Sequence, residues 1–159
     1  MEHGKRLTPA AAKQKIYRYC AYQERSHQEV RDKLYEYGLY TSDVDEILSH
    51  LITEGFLNEE RFAKAFAGGK FRMQHWGRVK IVHELEAHGL TKNCINLGLK
   101  EIDEEDYQRV LHDVLARKLA QLDVTNPFVT RDKLARYAIQ KGFEPDLVWP
   151  LVKDLVPVA

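Results

Sequence analysis

The chain has 159 residues, 44% of them apolar and 30% charged, and its 24 basic side chains are balanced by 24 acidic ones. That composition suits one compact domain or a few small repeats. It excludes a disordered chain and argues against a generic polyanion binder.

No run of about 18 apolar residues marks a membrane span. The opening "MEHGKRLTPAAAKQK" lacks the apolar centre of a signal peptide, so the expected location is the cytoplasm. Cys20 and Cys94 form no metal or CxxC pattern and read as small apolar residues in a reducing compartment.

In chain order the sequence predicts helices throughout. Thr8 caps a first helix over 9–24, with Pro9 at its first position. A short helix follows from Ser26, which with Glu29 forms a capping box. A third, over 43–54, carries Ile47, Leu48, Leu51 and Ile52 and stops at Gly55. Asn58 caps the next, over 59–72, in which Gly68-Gly69 reads as an early end or a hinge. Gly77 opens another short helix, with Trp76 and Ile81 at hydrophobic-staple spacing. Helices over 94–101 and 104–122 follow. The second of these has a stripe of Tyr107, Val110, Leu111, Val114, Leu115, Leu119 and Leu122. Thr130 reads as the cap of a third short helix, with Val129 and Leu134 at staple spacing, and a last helix covers 146–155.

The three short helices are repeats of one another. Those from Ser26, Gly77 and Thr130 each end on a glycine twelve residues later: Gly38, Gly89 and Gly142. Each has an apolar residue eight before that glycine (Val30, Ile81, Leu134) and another four before it (Leu34, Leu85, Ala138). Each also has one helix before it and one after. The expected fold is therefore all-α, with three three-helix units in tandem: 1–57, 58–103 and 104–159.

Charge is unequal among these units. The middle one carries 8 basic and 6 acidic side chains, whereas both neighbours are net acidic from residue 9 onward. The surplus lies in a stretch from Arg61 to His83 that has no acidic residue. Its basic residues are Arg61, Lys64, Lys70, Arg72, Arg78 and Lys80, with Phe71 and Trp76 among them. They suit contact with phosphates or with an acidic protein surface.

No GxSxG, P-loop, HExxH or GxGxxG pattern is present, and no two histidines are spaced i, i+4 to share a helix face. Acidic pairs such as Glu59-Glu60 and Glu104-Glu105 fall in first helical turns and compensate the dipole. The expectation is a protein that is not an enzyme and has no metal and no cofactor.

The middle unit, "FLNEERFAKAFAGGKFRMQHWGRVKIVHELEAHGL", resembles the signature segment of the RecX family, regulators of the RecA recombinase. The matching residues are Arg61-Phe62-Ala63, Lys70-Phe71-Arg72, Gly77, Arg78, Lys80, Ile81, Glu84-Leu85 and Gly89. The first unit, "YCAYQERSHQEVRDKLYEYGL", resembles the family's opening segment, and the third matches in helix pattern.

The resemblance implies an elongated, curved array and a monomer with no catalytic activity. It implies binding in the groove of the RecA–DNA filament, near DNA phosphates. It also implies lowered ATP hydrolysis and strand exchange, and filament disassembly. The six basic residues named above become the expected RecA- and DNA-binding surface. Two departures stand out. Gly68-Gly69 replaces a pair that is usually polar or charged, and Arg78 stands where the family often has proline after the short helix's glycine. Taken without the resemblance, the residues leave an autonomous DNA-binding protein or a helical adaptor open.

Overall fold

The computed structural model describes residues 6–158. These residues form nine α-helices and no strand: α1 Pro9–Tyr22, α2 His27–Glu36, α3 Thr41–Thr53, α4 Glu59–Gln74, α5 Arg78–Ala87, α6 Lys92–Leu99, α7 Glu104–Leu119, α8 Pro127–Gln140 and α9 Pro145–Leu155. They run as three successive three-helix units. The chain exposes 10003 Å², against about 8,200 Å² for a compact protein of its mass. The units are thus strung out rather than packed into one sphere.

The caps explain most of the boundaries. Thr8, Asn58, Thr91 and Asp103 each accept a backbone N–H from the first turn of α1, α4, α6 and α7. Ser26 and Glu29 complete both halves of a capping box on α2. At the other ends Gly38, Gly55, Gly89 and Gly142 all take positive φ just past a helix.

Two expectations need correction. Helix α8 starts at Pro127, not at Thr130. Asn126 caps it by accepting from Phe128 N and Val129 N, and Pro127 presets the first helical φ. The buried Thr130 hydroxyl instead donates back to Asn126 O at 2.9 Å, and Val129 points to solvent. The Asn-Pro pair is the stronger entry signal. Likewise, Gly68-Gly69 does not end α4, which continues to Gln74 and stops at His75 in the left-handed conformation (φ 57°).

The core is divided unequally. Ile16, Val30, Leu34, Val44, Leu48, Leu51 and Leu57 belong to a cluster confined to the first unit. The second and third units share one continuous cluster, from Phe62 and Phe71 through Leu85, Tyr107 and Leu111 to Leu134, Phe143 and Val152.

These two units are joined by main chain as well as side chain. Gly77 N donates to Lys141 O at 2.8 Å and Val79 N to Gly142 O at 2.9 Å. A Cβ on Gly77 would lie 2.2 Å from the Gly142 carbonyl carbon. Gly77 is therefore required by the approach of α8, beyond its role as a cap.

Two glycine substitutions should move stability in opposite directions. Gly77→Ala should cost about 1–3 kcal/mol through overpacking against backbone. Gly69→Ala should add about 1 kcal/mol of helix propensity, because its Cβ meets no described atom within 4 Å. Denaturant melts of the two variants check both signs.

Candidate partner-binding surface

The six basic residues do not form one patch. At 100° per residue, Arg61, Lys64 and Arg72 fall within about 80° of one another around α4, while Lys70 lies about 160° from Arg72. The fold then sorts them further by what each side chain meets.

Arg61 ties the first unit to the second. Its Nε donates to Glu24 Oε1 at 2.9 Å and its Nη2 to Gly55 O at 2.9 Å.

Arg78 ties the second unit to the third. Its Nη1 donates to Glu104 Oε2 at 2.9 Å. Its Nε sits 3.0 Å from Glu144 Oε2 but is not aimed for a hydrogen bond, so that contact is purely ionic. The guanidinium carbon lies 3.8 Å from the Tyr107 ring centroid. The Tyr107 hydroxyl donates to Glu144 Oε1 and accepts from Arg78 N at 2.9 Å. A proline at this position would have no N–H to give, so arginine here supplies a backbone donor as well as a charge.

Titration behaviour follows from this geometry. Burial works against the Arg78 charge, yet hydrogen bonds to Glu104 and Tyr107 and the Glu144 carboxylate hold its pKa above the ordinary value. Burial, then the bond to Glu144, pushes the Tyr107 phenol up. The hydrogen bond from Arg78 lowers the Glu104 carboxyl.

The other four basic residues have no carboxylate partner among the described residues. Lys70 and Lys80 flank the Trp76 indole, with their ammoniums 4.8 and 4.4 Å from its ring centroid. Trp76 in turn meets Phe66 edge-on at 6.3 Å. This gives two cations held over one aromatic platform. Lys64 and Arg72 are exposed on the far side of α4. Arg72 folds back along the helix, and a Cβ on Gly68 would come 2.8 Å from both of its terminal nitrogens. Gly68 leaves room for that guanidinium.

Sequence reasoning missed a second basic region. Arg117, Lys118 and Lys141 line a cleft with His75 and Tyr137, opposed by one carboxylate, Asp113. Three helices end there: α4 at His75, α7 at Ala120 and α8 at Lys141. Lys141 Nζ donates to Gln74 O at 3.2 Å, and Lys118 lies 4.7 Å from the Tyr137 centroid. These cations answer the partial negative charge of three converging C-termini. The sequence signal was the place of Arg117 and Lys118 in the last turn of α7 and of Lys141 just past α8; the convergence was not visible there.

Together the geometry defines an all-helical repeat protein, a tandem array of three-helix modules whose middle module carries cations, unpaired among the described residues, on both sides of α4. The comparisons agree along the whole array. Family models for the first, second and third three-helix domains of RecX match residues 12–51, 58–99 and 104–152. The chain belongs to the RecX family.

It is 29% identical over 136 residues to the regulatory protein RecX of Clostridium beijerinckii, covering 84% of this chain and 63% of that one. It is 29% identical over 147 residues to that of Pseudomonas savastanoi, covering 91% and 92%. Against the RecX of Lactococcus lactis it spans 48% of the relative's length. The crystal structure of RecX from Lactobacillus salivarius superposes with a TM-score of 0.80 at 18% identity, over 94% of this chain and 97% of that one. The last comparison shows the fold alone.

Arg78→Ala is expected to lower stability by about 1–2 kcal/mol, since it unpairs partly buried polar groups. A thermal melt reads this directly.

The Glu104 tie should depend on acid. Its pKa is depressed on folding, so its contribution is complete above the unfolded value near 4.3. It is lost as pH falls through the folded value. Glu104→Gln should therefore melt below the parent at neutral pH and converge with it as pH falls through the depressed folded value.

Proposed function

We propose that this protein is a non-enzymatic modulator of the RecA recombinase. In this reading it binds as a monomer in the groove of the RecA–DNA filament, in the cytoplasm. There it lowers ATP hydrolysis and strand exchange and favours disassembly during recombination and repair. The units span 1–57, 58–103 and 104–159.

The observation that carries this reading is the ordered match of three RecX domains along one chain. A neutral protein whose positive surplus sits in its middle unit also suits a site where filament protein and DNA phosphates are both near. No helix of the described residues is long and apolar enough to cross a membrane.

Within the proposed surface, Lys64, Lys70, Arg72 and Lys80 are the residues available to a partner. Arg61 and Arg78 act on it indirectly, by holding the neighbouring units against the middle one.

The test is the DNA-dependent ATPase of the cognate RecA, titrated with this protein. A fall in rate supports the reading, and no change at any ratio with folded protein overturns it. The double variant Lys70→Glu/Lys80→Glu should need roughly tenfold more protein for the same inhibition, equivalent to about 1.4 kcal/mol. Its melting temperature should fall only modestly, because neither lysine has a carboxylate partner among the described residues and each cation–π contact contributes about 1 kcal/mol. Equal inhibition by the variant would remove the Trp76 platform from the surface.

A further inference from the structure

We infer that the molecule consists of two bodies, with the first unit acting as a jaw that is latched onto α4 by polar contacts and free to swing when the latch opens. The division follows the cores. The apolar cluster of the first unit ends at Leu57, and the next one begins at Phe62. Among the described residues, no buried apolar residue or packed neighbour belongs to both. The second and third units, by contrast, share a core and two main-chain hydrogen bonds.

What bridges the two bodies is polar. Arg61 forks onto Glu24, at 2.9 and 3.2 Å, and reaches Gly55 O. His27 N donates to Glu59 Oε2 at 3.4 Å. The Gln28 amide, turned to suit its surroundings, donates to Ala87 O and His88 O at 3.2 Å. The chain crosses once, through Asn58 in an extended conformation. Exposed ion pairs of this kind hold weakly and are screened by salt. Interfaces without a shared apolar core permit relative motion.

The jaw has something to close on. Between Gln23, Glu24 and Glu29 on one side and α4 on the other lies a groove of about 500 Å³. Its α4 wall is mostly apolar, with Phe62, Phe66 and Met73 beside Lys70 and Gln74, and Met73 is 83% exposed. The first unit brings polar side chains to this wall and leaves the groove open. A swing about Asn58 changes the groove's width without breaking either core.

The test uses spin-label pairs on the full chain with Cys94→Ser, Cys20 being buried. One pair, at Ser49 and Lys133, spans the two bodies; the other, at His83 and Lys133, lies within the second. All three positions are exposed. The first distance distribution should be at least about twice as broad as the second. It should broaden further in Arg61→Ala, in Glu24→Gln and at about 0.5 M salt, while the second stays fixed. Equal widths for both pairs, unmoved by the variants and by salt, would overturn the jaw. So would equal broadening of both. Amide exchange at Leu34 and Leu51 confirms that the first unit remains folded in each variant. This outcome is independent of any effect on RecA.

Discussion

The close crossing of Gly77 and Gly142 is the constraint on which the rest of the structure depends. Two backbones meet with no room for a Cβ, and two main-chain hydrogen bonds form across the crossing. This contact sets α5 against the end of α8 and brings Arg78 to Glu104, Tyr107 and Glu144. It also lets Phe71, Tyr107 and Phe143 stack in one core, with successive ring centroids 5.8 and 5.2 Å apart. Where such a contact is missing, between the first and second units, the cores stay separate.

Basic residues in this protein therefore serve two purposes that sequence proximity conceals. Arg61 and Arg78 lie in the acid-free stretch, yet each reaches a carboxylate far along the chain. Lys70 and Lys80 sit ten residues apart and converge on one indole. A charge run is thus a poor unit of function, because a helix spreads its members around its circumference and tertiary contacts consume some of them.

Much of the fold was legible in the sequence because the signals were local. Ser26 with Glu29, Thr8 with Pro9, Asn58 and the four glycines past helix ends each act within one turn of their own residue. The third short helix was misread at its start because its alignment with the first two outweighed the Asn126-Pro127 signal four residues earlier. Of the two readings of Gly68-Gly69, the early end fails because helix propensity there yields to packing by Phe62, Ala67 and Phe71, and α4 runs two residues past the expected 72. At the candidate surface, residue types were legible but partners were not. Glu24, Glu104 and Glu144 cannot be assigned to Arg61 and Arg78 without the tertiary arrangement.

The division of the core also has a consequence for synthesis on the ribosome. The first unit has every residue of its core by Leu57, so it can fold while the rest of the chain is still being made. The second unit cannot finish in the same way. Val79 must wait for the carbonyl of Gly142, about sixty residues later, and the loop between them has to close before its contacts reward it. The nascent chain would therefore emerge as a finished domain followed by an unfinished one. In the interval Phe71 and Ile81 would lack the partners that cover them in the native state.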